Sequence, residues 1–264
     1  MNRGLFITGT DTGVGKTLIA CGITRLLRSW GLNVGVMKPV ATGDREDAKR
    51  LIAAMFPHPA SGHLLPKGRR QGLVLPSPFR ERGRGEGELF ELVNPQFFKA
   101  PLAPYVSSKL EGRRVDVEKI YKAYWRLSKK YEVMVVEGIG GVKVPFGAST
   151  YLMDLIEALR LPALVVSRAG LGTLNHTLLT LDALAQKKVP VIGVLMNGGT
   201  GKTLAEKTNP EALQDHTTVQ VLGHLRRQAS TSPNAIADAL SRVPLLVKAL
   251  RSMIPSPPVG EGAG

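Results

Sequence analysis

Apolar residues along this chain fall into short unbroken runs, and helical spacing fills the stretches between them. Leu5-Phe6-Ile7, Asn33 to Met37, Val133 to Val136, Ala163 to Val166, Val191 to Met196 and Val219 to Gly223 are the runs. Unbroken apolar runs of this length suit strands of a parallel sheet buried on both faces. Leu18 to Leu27, Asp44 to Ile52, Val106 to Leu110, Val117 to Lys130 and Leu174 to Gln186 carry the helical pattern, and Ala235 to Leu250 carries it weakly. Strands alternating with helices predict an α/β fold with a mostly parallel sheet flanked by helices. One such domain is expected over residues 1–228.

Between the first strand and the first helix lies Gly9-Thr10-Asp11-Thr12-Gly13-Val14-Gly15-Lys16-Thr17. A strand, a glycine-rich turn and a helix in that order form a phosphate cradle, which makes the fold P-loop NTPase-like. Backbone N–H groups from Gly13 to Thr17 would face an anion at the positive end of the helix. Lys16 would reach the outer phosphates and the Thr17 hydroxyl would ligate Mg²⁺. The glycine at the head of the strict motif stands one residue early, at Gly9, so the loop is one residue longer than the common form.

A second stretch, Gly198-Gly199-Thr200-Gly201-Lys202-Thr203, imitates the first. It also follows an apolar run, but the segment behind it, Leu204 to Pro210, is polar and carries a proline. A helix packed on a sheet is expected to be more apolar, so the first loop is taken as the nucleotide site.

Further candidates stand at strand ends, where open α/β sheets place their ligands. Lys38 follows the second run and suits a second phosphate clamp. Glu137 ends the Val133 to Val136 run and enters Gly138-Ile139-Gly140-Gly141, positioned to meet a metal or a phosphate; a structural glutamate is the alternative. Gly170 and Gly172 precede a helix and offer another anion site. His176 has no nucleophile or metal-ligand spacing beside it and reads as packing or capping.

Composition changes the picture in a few places. At 264 residues and 43% hydrophobic content the chain can bury a full core. Its net charge of +14 would suit nucleic acid, yet part of the excess, six basic residues against three acidic ones, sits between Lys67 and Glu88, in a Pro-, Gly- and Arg-rich stretch. Residues 57–88 are therefore expected to be a disordered insertion, and 229–264 a weak helix with a Pro/Gly-rich tail. The arginines there lack interleaved aromatics to stack bases, which makes nucleic acid an unlikely partner. The single Cys21 sits on the apolar first helix and reads as core. No leader and no run of membrane-spanning length is evident, so the protein is expected in the cytoplasm.

With these pieces in place, the chain resembles the dethiobiotin synthetase family. The resemblance is carried by Thr8 to Thr17, Lys38-Pro39-Val40-Ala41-Thr42-Gly43, Val93-Asn94-Pro95, Val136 to Gly141, and Leu171-Gly172-Thr173-Leu174-Asn175-His176. The lengthened phosphate loop is the form this family uses. The resemblance implies ATP- and Mg²⁺-dependent ring closure of 7,8-diaminononanoate with CO₂, through a carbamate and its mixed anhydride with phosphate. It implies catalytic roles for Lys16 and Lys38, Mg²⁺ on Thr17, Asp47 and Glu137, and diamine contact at Thr42. ATP would be bound by Gly13, Val14, Gly15, Lys16, Thr17, Leu18, Glu137, Gly138, Ile139, Gly140 and Asn197. Leu171, Gly172, Thr173 and Asn175 would receive the substrate carboxylate, contributed by the partner subunit of a homodimer.

Some positions depart from the family. Asp44 competes with Asp47 as metal ligand. Asn197 is followed by Gly198 rather than aspartate, and Gly223-His224-Leu225-Arg226 replaces a Gly-x-Ile-Pro-like turn near the base, so nucleotide base selectivity is open. A related P-loop amidotransferase or partitioning-type ATPase is the alternative within the fold.

Overall fold

The computed structural model describes residues 3–56 and 85–254. Six parallel strands form the main sheet: β1 (Gly4–Gly9), β2 (Val34–Met37), β5 (Val133–Glu137), β6 (Ala163–Arg168), β7 (Val191–Asn197) and β8 (Val221–Leu225). Their spatial order is β2-β5-β1-β6-β7-β8, with β1 between β5 and β6. All six residues of β1 are buried, as a strand covered on both faces requires. The chain leaves β1 toward one edge and later returns to fill the other, so the order reverses beside β1. A crevice opens at the carboxyl ends of the strands at such a point, and the phosphate loop emerges into it.

Two three-residue strands, β3 (Val40–Thr42) and β4 (Gln96–Phe98), pair in parallel outside the main sheet. The apolar runs did not reveal them, since three residues carry no measurable period. They fix Thr42 opposite Phe98, at the rim of the crevice.

Helix α1 (Lys16–Ser29) packs along β5 and against α2 (Glu46–Met55). Its first turn belongs to the phosphate loop, and Ile19, Ile23 and Leu26 carry its apolar stripe into the core. α3 (Gly85–Val93) and α4 (Pro104–Leu110) flank β4 in sequence. α5 (Val117–Ser128) is amphipathic, burying Ile120, Ala123, Tyr124 and Leu127 behind an Asp116 cap that accepts from the Lys119 N–H. α6 (Leu152–Leu159) was not anticipated from the pattern, and α7 (Thr173–Gln186) was.

The expected weak helix from Ala235 to Leu250 is two helices, α9 (Pro233–Ser241) and α10 (Pro244–Ser252). Pro244 starts the second, where its fixed φ and missing N–H suit the first turn. α9 lies on α1: a Cβ built on Gly22 would stand 2.4 Å from Ile236 Cγ2, and Ile236 and Leu240 are fully buried. The last strand is displaced by two residues from the expected Val219 to Gly223 run.

Of the expected insertion, residues 57–84 lie outside the described residues, and so do the Pro/Gly-rich residues 255–264. Residues 85–88 open α3. Among the described residues no helix is long and apolar enough to cross a membrane.

Candidate functional site

The crevice at the strand ends is a cleft of about 390 Å³. It is lined by Gly13, Gly15, Lys16, Thr17, Leu18, Lys38, Thr42, Asp47, Glu137, Ile139 and Gly140, among others. Gly13 and Gly15 stand at φ 75° and 96°, left-handed conformations that turn the loop's N–H groups along the start of α1. The Lys16 ammonium donates to the Asp11 carbonyl at 2.7 Å. Burial, and then the nearby charge of Lys38, pushes it down to about 8.

Four side chains from four parts of the fold converge beside this loop. The Thr17 hydroxyl from α1 lies 2.8 Å from Asp47 Oδ1 and 2.7 Å from Glu137 Oε1. Lys38 Nζ, at the end of β2, lies 2.8 Å from Asp47 Oδ2 and 2.7 Å from Glu137 Oε1, and also donates to the Gly138 carbonyl. Desolvation works against the Lys38 charge, but Glu137 and Asp47 outweigh it and hold the ammonium above the ordinary lysine value. Desolvation pushes Asp47 up, but Lys38, the Thr17 hydrogen bond and Arg50 together outweigh it and hold the carboxyl below the ordinary value. Burial pushes Glu137 up, against the pull of Lys38.

Glu137 Oε2 is buried and has no hydrogen-bond partner. A buried carboxylate oxygen left unpaired is costly unless something else satisfies it. With Thr17 Oγ1 and Asp47 it makes an all-oxygen donor set of two carboxylates and a hydroxyl, which fits Mg²⁺, a hard ion that keeps several waters. Among the described residues no group of three His, Cys, Asp or Glu side chains gathers to hold a metal. Asp44 also lines the cleft, but its Oδ1 is engaged by the Glu46 N–H at the start of α2, at 2.9 Å.

The scaffold behind these groups is Asn94, which is fully buried. Its amide donates to the Lys38 carbonyl at 2.7 Å, and its Oδ1 accepts from Arg45 Nε at 2.7 Å. Arg45 stacks over the Phe90 ring, 4.2 Å from its centroid, and opens α2. One side chain thus holds the strand end that carries Lys38 and the helix start that carries Asp47. Sequence reasoning met Asn94 only within a motif; a lone asparagine before proline carries no pattern that announces such contacts.

Three nucleotide candidates stand just off the cleft wall. Val14 is buried beneath the loop, Gly138 contributes its carbonyl to Lys38, and the Asn197 amide donates to the Val14 carbonyl at 2.9 Å. Leu171, Gly172, Thr173 and Asn175 are not brought to the cleft. Leu171, Gly172 and Asn175 are exposed at the start of α7, while the Thr173 side chain is buried beside Thr177. His176 is exposed, so packing does not account for it.

The imitation loop has a different occupant. Glu206 Oε2 accepts from the N–H groups of Thr200, Gly201 and Lys202 at 3.2, 2.7 and 3.1 Å. α8 (Leu204–Asp215) then continues through Pro210, so the proline does not end it.

Comparison with known proteins gives the family and the fold. A family model described as AAA domain matches residues 3–70 and 86–235. ATP-dependent dethiobiotin synthetase BioD of Bacillus licheniformis is 38% identical over 235 residues, covering 89% of this chain and 90% of that protein. This chain belongs to the dethiobiotin synthetase family. The synthetase of the same name from Aquifex aeolicus is 37% identical, covering 90% of this chain and 95% of its own length. Among solved structures, the MinD cell division protein of Aquifex aeolicus aligns with a TM-score of 0.53 at 15% identity, covering 97% of this chain and 99% of that one. The MinC:MinD complex from the same organism aligns at 0.55 and 15%. At that identity the likeness shows the fold alone, that of a P-loop NTPase-like sheet.

Proposed function

We propose that the chain is an ATP- and Mg²⁺-dependent dethiobiotin synthetase, carboxylating 7,8-diaminononanoate and closing its ureido ring. The observation that carries this reading is the convergence of Lys38, Thr17, Asp47 and Glu137 beside a lengthened phosphate loop, in a chain 38% identical to a protein of that name. One amine of the diamine adds to CO₂ and gives a carbamate. A carbamate oxygen takes the γ-phosphoryl group of ATP, releasing ADP. The second amine attacks the carbonyl carbon, expels phosphate and closes the ring.

Such a reaction asks the protein mainly for positioning and neutralisation of charge. The loop amides from Gly13 to Thr17 would orient the phosphates, with Lys16 and Lys38 as the two buried cations facing the transferred group. Thr17, Asp47 and Glu137 would hold Mg²⁺, which when bound supplies further neutralisation of phosphate oxygens. Thr42, at the rim, would contact the diamine.

The reading includes a homodimer. Gly172 and Asn175 are exposed between two leucines, Leu171 at 90% and Leu179 at 60% exposure, and do not line their own cleft. A second copy seated there would cover the leucines and bring its cleft to these residues. The reading places the chain in the cytoplasm, where ATP is supplied.

The test is phosphate release from MgATP and bicarbonate, with and without the diamine, together with mass detection of dethiobiotin. Release that depends on the diamine and matches the product is the expected result. Release indifferent to the diamine would transfer the site to another substrate.

A further inference from the structure

Two neighbouring strand ends reach the phosphate loop, and only one of them has been given a role above. Arg168 closes β6 and Asn197 closes β7, and the two are partners in the parallel register. Residues paired in this way project to the same face of the sheet. Asn197 holds the later part of the loop through the Val14 carbonyl, at 2.9 Å. The Arg168 guanidinium holds the earlier part, donating to Asp11 Oδ2 at 3.0 Å.

Asp11 is the pivot of that earlier part. Its Oδ1 accepts from the Thr12 N–H at 2.7 Å, and its carbonyl accepts from Lys16 Nζ at 2.7 Å. We propose that Arg168 is a positioning residue for the nucleotide, pinning Asp11 so that the loop is clamped on both flanks before the triphosphate arrives. Arg168 does not itself line the cleft. It acts through Asp11 on Thr12 and Lys16. A glycine-rich loop has many conformations to lose on binding, and a clamp already in place removes part of that loss. The inference rests on the nucleotide-binding reading of this loop and is independent of which substrate receives the phosphoryl group.

The pair is half-exposed, which sets the size of the effect. An exposed ion pair contributes up to about 1 kcal/mol, so Arg168→Ala is expected to weaken binding of a non-hydrolysable MgATP analogue about threefold to fivefold. The KM for ATP should rise by the same factor while kcat stays nearly unchanged, as when binding common to ground and transition state is lost. Arg168→Lys, which keeps a cation at the position, should restore most of the affinity. Asp11→Ala should weaken binding too, and the double variant should bind no worse than the weaker single variant. Unchanged affinity in Arg168→Ala, or effects that add in the double variant, would overturn the proposal. A parent chain that binds no analogue would instead overturn the nucleotide reading.

Discussion

Glu206 closes the second glycine-rich loop on itself: its carboxylate accepts from the Gly201 N–H at 2.7 Å and from the amides on either side. Desolvation opposes that charge, but the backbone donors of Gly201, Thr203, Thr200 and Lys202 outweigh it and hold the carboxyl below the ordinary glutamate value. A depressed carboxylate stabilises the fold above its unfolded pKa and ceases to do so as pH falls through the folded one. Protection of the Gly201 amide against hydrogen exchange should therefore persist down through the ordinary glutamate range and fall away only below it, and Glu206→Gln should reduce it wherever the carboxylate is ionised. Because the loop already holds an anion, Lys202→Ala should leave MgATP binding intact, whereas Lys16→Ala should remove ATP turnover. Equal losses in the two variants would show that both loops serve the nucleotide.

Lys38 and Glu137 form a buried ion pair, with side-chain exposures of 4% and 1%. Removing one partner of such a pair leaves an uncompensated charge, at a cost of about 3–5 kcal/mol. Lys38→Met should show that loss in urea denaturation, and added Mg²⁺ should raise its melting temperature more than that of the parent. Turnover should fall about 10²- to 10³-fold with much of the ATP affinity retained. A variant as stable as the parent would mean that the pair is not formed in solution.

Asn94→Ala should destabilise the chain by about 2–3 kcal/mol, because the Lys38 carbonyl and Arg45 Nε are left without their partner in a buried setting. Chemical denaturation measures the loss, and Mg²⁺ titration should show weaker metal binding in the folded variant, since Asp47 depends on the same anchor. Metal affinity equal to that of the parent would confine Asn94 to a structural role.

Much of this site was legible in the chain, and the limits have physical causes. Lys16, Thr17, Lys38 and Glu137 stand at the junction of an apolar run with a polar or glycine-rich turn, and such junctions fall at the mouth of a parallel sheet. Asp47 was separable from Asp44 only by contact, since both stand at the opening of the same helical pattern; one reaches Thr17 and the other accepts from the Glu46 N–H. β3 and β4 are too short for a period and exist because distant segments meet. Arg168 and Asp11 are separated by 157 positions, and no local pattern joins them. α9 was underestimated because Pro244 divides what looked like a single faint periodicity.

Gly22 and Ile236 offer a test of that last packing. Gly22→Ala places a Cβ against Ile236 Cγ2 and should cost about 1–3 kcal/mol. Ile236→Ala leaves a cavity and should cost about 2–5 kcal/mol. Combined, the two should cost less than their sum, since the added methyl enters the space that was vacated. Strict additivity in denaturation midpoints would place the residues out of contact.

The contact between α1 and α9 also sets a timetable. The ribosome makes the phosphate loop and α1 well before α9: the partner that covers Gly22 is synthesised more than two hundred residues later. Until residues 233–241 have emerged, the helix that anchors the loop keeps an apolar flank open to water and to other nascent chains. Ligand-competent folding thus waits for α9 to be made, and a product cut short before it should be a target for chaperones and proteases rather than a smaller working enzyme.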